Sequence, residues 1–433
     1  MPLFSPDFVS IDGYPEIEPS LKLDFANARA LDPRITFTRA STATYVGRDG
    51  LIKTAGEDEA RFDHDPATGE SLGLLIEESR TNLITNSVEF SNASWSKVAA
   101  NIQSNATTSP AGDLTADKIY GDTTSGTTHY TTQSFSKEAT TYTGSVYVKA
   151  AEYTKLAVGF TGVTNWQGIP QALFDLVSEE AAVLGADTTA TINSVGNGWY
   201  RVSITSTSLN TTASALTLSH ISDSGTNTGG GNIFLGYDGD GSSGLYVWGA
   251  QVEAGTFPTS YIPTSGSPAT RGQEKALISG ESFNSFFNST EGFIMGTYKL
   301  NGVNTGTDWQ TLVTIDNKTA SNRMWIYARG GGDITQWIGS SGGSTQFTPA
   351  LGANATAGVE RTVGGAYALN DMIGVYEGTL TAPDTNALLP VGVDRMGIGY
   401  RDDTSSAFMN GTIKKLFYYP KRLTNTQLQT LTQ

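Results

Sequence analysis

Leu245-Tyr-Val-Trp-Gly-Ala-Gln-Val-Glu-Ala-Gly-Thr-Phe-Pro-Thr-Ser-Tyr-Ile-Pro-Thr264 reads as a strand followed by an enforced exit. Leu245, Val247 and Ala250 flank Trp248 in a short strand-forming run, and Pro258 and Pro263 then hold the chain extended. The segment therefore closes a β-domain and opens a stiff connection. Upstream, strand candidates recur at 142–149, 155–160, 199–204, 215–220 and 233–237. The first alternates clearly, with Val146 and Val148 on one face and Ser145, Tyr147 and Lys149 on the other. Asn197-Gly198 supplies a hairpin turn ahead of Trp199. Together these strands predict one β-sandwich over residues 85–265.

Toward the N-terminus the pattern thins. Pro2, Pro6, Pro15 and Pro19 keep the first twenty residues extended, and only short strand candidates follow, at 35–39, 43–46 and 72–76. Residues 1–84 are thus expected to form a docking or oligomerisation arm of short strands. Toward the C-terminus, Gly266-Ser-Pro-Ala-Thr-Arg-Gly272 marks a boundary, with 266–284 as linker and a second sandwich over 285–433. Its last strand carries Ile413, Leu416 and Tyr418. Pro420 follows, and Thr424 is placed to cap a short terminal helix. The fold class expected is all-β: two jelly-roll sandwiches in tandem after an N-terminal arm.

Three passages carry a family resemblance. The 245–264 segment, Arg34-Ile-Thr-Phe-Thr-Arg-Ala-Ser-Thr-Ala-Thr-Tyr45 and Gly73-Leu-Leu-Ile-Glu-Glu-Ser-Arg-Thr-Asn-Leu-Ile-Thr-Asn86 resemble bacteriophage tail and fibre proteins with a carbohydrate-binding-module-like jelly roll. The match spans roughly residues 20–270. The 410–430 segment resembles the end of concanavalin A-like, laminin G-like sandwiches. These resemblances imply a virion protein, assembled in the host cytoplasm and exposed on the particle. They name no reaction.

Composition narrows the function classes. The chain has 433 residues, a net charge of −15 and no cysteine, and charged residues are 16 % against an ordinary share of roughly 25 %. The acidic balance, without a Lys/Arg cluster, argues against nucleic-acid partners. No apolar run of about 18 residues is present, so no membrane insertion is expected. Zero cysteines exclude disulfides and thiolate chemistry.

His64, His129 and His220 sit in unrelated settings, with no nucleophile elbow. Glycoside cleavage needs two carboxylates at a set separation; Glu57-Asp58-Glu59 and Asp402-Asp403 have the wrong spacing, so no enzyme is expected. Gly239-Asp-Gly-Ser-Ser-Gly244 leads into a strand instead of a helix, which rejects a dinucleotide site. Asp238 and Asp240 alternate like the start of a calcium loop, although the remaining EF-hand positions fail. The segment is read as a glycine-rich hairpin, with a structural Ca²⁺ on Asp238 and Asp240 as the alternative. Sugar binding is the favoured chemistry, because pyranose C–H groups stack on aromatic faces. Trp166, in a polar loop, is the first candidate, with Trp309 and Trp337 next; Trp95, Trp199 and Trp248 are assigned to the core.

The expected function is a non-enzymatic tail-fibre or baseplate adhesin that binds host surface polysaccharide. It would dock on other virion proteins through the arm, as a homotrimer. The alternatives are a head fibre, capsid decoration or adaptor protein with a purely structural role, and a polysaccharide depolymerase.

Overall fold

In the computed structural model, residues 14–28, 30–222, 233–303, 309–329 and 334–433 are described. The protein is all-β. The 245–250 run lies within a longer strand, Gly244–Ala254, inside a six-stranded antiparallel sheet ordered 189–194, 199–207, 141–150, 244–254, 116–121 and 100–107. A second six-stranded sheet, ordered 180–183, 171–175, 155–160, 214–221, 130–135 and 96–98, faces it. Val146, Val148, Leu156, Val158, Leu216 and Leu218 fill the space between them.

The side-chain pattern of Gly244–Ala254 explains its odd spacing. Leu245 and Val247 face this core, and so do Ala250 and Val252, although a regular strand keeps a period of two. The extra residue is absorbed by a bulge opposite Val146, where Gly249 adopts φ 63° as a bulge of this kind requires. Trp248 therefore turns to the outer face. There it packs with Tyr147, Trp199 and Tyr261, and the exit segment folds back so that the Tyr261 ring lies 4.5 Å from Trp248.

A second sandwich carries eight strands in each of two sheets among the described residues. One sheet holds Glu291–Leu300, Glu360–Ala368, Asp371–Tyr376 and Gly411–Tyr419; the other holds Trp309–Asp316, Arg323–Arg329, Ile334–Ser341 and Arg395–Ile398. The terminal helix Asn425–Leu431 is closed by a complete Thr424–Gln427 capping box.

The N-terminal segment departs from the expected arm. Leu21–Asp24 pairs with Gly411–Tyr419 in antiparallel register, from Leu21↔Tyr418 to Asp24↔Lys415, and Ser71–Ile76 pairs with the other half of the same strand. Thr36–Thr38 joins Lys275–Ser279, which in turn joins Arg395–Ile398. Leu21, Leu23, Phe37, Leu74 and Ile76 lie in the second sandwich's core. Gly73 permits the closest approach, since a Cβ there would stand 2.2 Å from the Ile413 carbonyl oxygen. The 1–84 segment, as far as it is described, is thus built into the second sandwich instead of standing apart from it. The 266–284 stretch read as a linker likewise contributes strands. The jelly roll is an insertion, entered and left through the short pair Arg80–Asn82 and Ala269–Arg271. The strands of the 1–84 segment look too short to form a core because their partners lie hundreds of residues away.

A buried ionic cluster locks this neck. Arg61 donates to both oxygens of Glu274 (2.7 and 2.6 Å) and to Glu77 (2.8 Å). Arg39 donates to Glu274 and Arg271 to Glu77, at 2.7 and 2.6 Å. Ser260, on the exit from the jelly roll, donates its backbone N–H and its hydroxyl to Glu77. Burial alone would raise the Glu77 carboxyl, but Arg271 and Arg61 hold it down to about 2.

Candidate functional site

The outer face of the Trp309–Asp316 strand carries an aromatic rim. Leu312, Val313 and Ile315 point into the core, while Trp309 stands at the strand's start with 36 % of its surface exposed. Trp325 and Tyr327, on the adjacent strand, meet it edge-on at centroid distances of 5.3 and 6.3 Å. The 399–409 segment straps this face: the Thr311 N–H donates to the Ala407 carbonyl at 3.0 Å, and the Met409 N–H to that of Gly399 at 2.8 Å. From this strap the Arg401 guanidinium reaches over the Trp309 and Trp325 rings, 5.5 and 4.6 Å from their centroids. Asp403 fixes it by accepting from Nε (3.0 Å) and the terminal nitrogen (2.5 Å). Nearby, burial pushes the Asp316 carboxyl up to about 6, with Asp403 and Asp402 adding to the rise. The result is an indole ring fixed by its neighbours yet partly open to solvent. Such a ring can stack on the C–H face of a ligand at little entropic cost.

The other candidates fare differently. Trp166, expected as the leading sugar platform, is only 3 % exposed. It stacks on Phe160 at 4.5 Å, donates its indole N–H to the Thr161 carbonyl at 3.1 Å and lies under the Lys137 ammonium. Its loop is polar, but the side chain turns inward and plugs the end of the sandwich. Trp166→Ala is accordingly expected to cost about 3–5 kcal/mol of stability, and Trp309→Ala, whose ring is partly exposed, less, about 1–2 kcal/mol; urea denaturation of the two variants checks this. The Trp337 backbone lies in Ile334–Ser341, and its side chain falls outside the described residues. Trp95, Trp199 and Trp248 are buried, at 1, 2 and 4 % exposure.

Asp238 and Asp240 act as turn acceptors. Asp238 accepts from the Ser125 hydroxyl and the Gly126 N–H, and Asp240 from the backbone and hydroxyl groups of Ser242 and Ser243. Those donors hold Asp240 well below the usual carboxylate range, the Ser243 hydroxyl foremost. Asp238 thus accepts across to the 125–126 loop and Asp240 within its own glycine-rich turn. Among the described residues, no group of three or more His, Cys, Asp or Glu is arranged to hold a metal ion. His129 and His220 are buried in the jelly roll beside Tyr237, and His64 lies apart from them on the Phe62–His64 strand.

Sequence reasoning missed one concavity. An open cleft of about 1310 Å³ lies between residues 26–28, 30 and 31, the hairpin of Ala43–Val46 and Ile52–Ala55, and residues 59–71. Its walls come from three separate segments, each reading as turn or edge strand, so no local motif marks it.

No family model matches the chain, and no curated protein matches it in sequence. Among solved structures, the chain is similar to the CBM40 of the Ruminococcus gnavus IT-sialidase bound to α2,3-sialyllactose, at 19 % identity and TM-score 0.30, covering 34 % of this chain and 84 % of that one. It is similar to domain 4 of AbnA, a GH43 extracellular arabinanase from Geobacillus stearothermophilus, in complex with arabinotriose: 17 % identity, TM-score 0.30, covering 41 % and 82 %. A third similarity is to the NanB sialidase from Streptococcus pneumoniae, at 15 % identity and TM-score 0.30, covering 36 % and 26 %. At these values the similarities assign no ligand to this chain.

Proposed function

We propose that this chain is a non-enzymatic bacteriophage virion protein, an adhesin of the tail, fibre or baseplate, that binds host surface glycans. The observation that supports the reading is Trp309. Among the tryptophans whose side chains are described, its ring alone reaches solvent, while the other five are buried at 4 % exposure or less. An exposed tryptophan fixed by Trp325, Tyr327 and Arg401 is preorganised to receive a sugar ring. Weak single contacts of this kind become effective when several copies are displayed on one particle. A homotrimer belongs to this reading through the resemblance to phage fibres; the N-terminal segment gives it no support, because its strands pair within their own chain.

Trp309→Ala is expected to weaken binding to immobilised host-envelope polysaccharide about tenfold or more, equivalent to roughly 1.4 kcal/mol, while the chain stays folded at the assay temperature. Surface plasmon resonance with the full chain tests this. Equal binding by the two proteins would remove the rim from any role in attachment.

A further inference from the structure

We propose that the edge strand Thr189–Ser194 of the jelly roll is a self-association surface. Its occupant is the same strand of a second copy of this chain, added antiparallel about a twofold axis through Thr191. The strand stands at one end of the six-stranded sheet that runs to Ala100–Thr107 at the other. On one side it pairs with Trp199–Thr207, from Thr189↔Thr205 to Ser194↔Tyr200. Among the described residues, no strand pairs with its other side.

The open side presents backbone groups in ladder order. The Val195 N–H donates to the Trp199 carbonyl at 2.9 Å, which sets the alternation along the hairpin. Thr189, Thr191 and Asn193 therefore turn their backbone groups toward 199–207, while Ala190, Ile192 and Ser194 turn theirs outward. Proteins ordinarily guard such an edge with a bulge, a proline or a charge. The opposite edge of this sheet is guarded in that way: its register slips between Ala116 and Lys118, and Asn105 sits at φ 53°. Thr189–Ser194 pairs without a slip and contains neither a proline nor a charged residue.

The pattern of the strand selects its own copy. With Thr191 on the axis, Thr191 meets Thr191, Thr189 meets Asn193, and Ala190 meets Ile192 of the second copy. The outward amides and carbonyls of Ala190 and Ile192 then bond reciprocally. On the outer face the Thr191 and Ser203 hydroxyls already share a hydrogen bond at 2.7 Å, and the second copy continues that polar row. On the inner face Ala190 and Ile192 are partly buried against the jelly-roll core, and their counterparts extend it. A chain of net charge −15 repels its copies, so a self-contact requires an uncharged meeting line, which this strand supplies. The facing sheet ends on the same side, followed by Val183 and Leu184 at 42 and 37 % exposure, which add apolar area. So short a strand makes a small interface, and the pair is expected to be weak and concentration-dependent.

Sedimentation velocity of the full chain across a concentration range should show reversible dimerisation. Thr191→Lys sets like charges opposite each other on the axis, and Ala190→Pro removes an N–H that points outward, leaving the intrachain ladder whole. Each should raise the dimer dissociation constant about tenfold or more, with a melting temperature within the scatter of the wild type. Because the chain has no cysteine, Thr191→Cys tests the register. On the axis its thiol comes within disulfide reach of its counterpart, so oxidised glutathione should link the two copies. Thr189→Cys faces Asn193 of the second copy and should stay unlinked. A chain that remains monomeric at every concentration, an oligomer indifferent to both edge variants, or equal linking of the two cysteine variants overturns the proposal.

Discussion

Glu274→Ala is expected to destabilise the folded chain by about 3–5 kcal/mol, the cost of leaving buried charges without their partner. Glu274 is fully buried, and its two oxygens accept from Arg39, from two nitrogens of Arg61 and from the Glu77 backbone N–H. Both guanidiniums that depend on it have side chains with no solvent exposure, so water cannot replace the lost carboxylate. Glu274→Gln keeps the shape and one acceptor oxygen, and should lose less. Because the cluster joins strands of the second sandwich to Ser260 at the exit of the inserted jelly roll, the loss should also loosen the neck. Guanidinium denaturation reads the stability, and limited proteolysis between residues 255 and 275 reads the neck. A Glu274→Ala protein as stable and as protease-resistant as wild type would show that the buried pairs contribute no net stability here.

That cluster also shows what a sequence can and cannot disclose. The passages that carry the family resemblance supply three of its six members: Arg39 from 34–45, Glu77 from 73–86 and Ser260 from 245–264. The recognisable residues thus mark a structural joint, and the ring that reaches solvent lies far from them in sequence. Strand alternation was legible wherever a strand has two different faces, as with Val146 and Val148 against Tyr147, because period-two burial is written locally. The partners of Leu21–Asp24 were not, since pairing with Gly411–Tyr419 depends on residues nearly four hundred positions away. Trp166 was misplaced for a related reason. Its neighbours in sequence are polar, but its neighbours in space, Phe160 and Tyr142, come from other strands. Trp309 was placed on the surface by the same local reading, and there the strap at 399–409 leaves it partly uncovered.

Acidification is expected to weaken the jelly roll through His220. The residue is fully buried, neither ring nitrogen has a hydrogen-bond partner, and its surroundings are His129, Tyr153 and Tyr237, with ring centroids 6.1, 6.5 and 6.2 Å away. Burial first, and then repulsion from His129, bring its pKa down to about 3 from an ordinary 6.5. The native state thus resists a proton that the unfolded chain accepts. Above about pH 6.5 neither state is charged at this position and no penalty exists. Between pH 6.5 and 3 the unfolded state binds more protons, so stability falls by about 1.4 kcal/mol per pH unit, to a limit of roughly 4–5 kcal/mol. Other groups act alongside it. Asp63 and Asp316, each raised to about 6 chiefly by burial, gain protons natively first and so favour the folded state as pH drops through 6. Glu77, held down to about 2, instead loses stability as pH falls below its unfolded value toward 2. The difference between wild type and His220→Phe isolates the histidine from these carboxylates. The variant should match or exceed wild type at pH 7, because it removes two buried unpaired nitrogens, and its advantage should widen by several kcal/mol by pH 4. Urea denaturation at pH 7, 5.5 and 4 measures that widening; parallel pH profiles for the two proteins would mean that His220 takes up its proton without disturbing the fold.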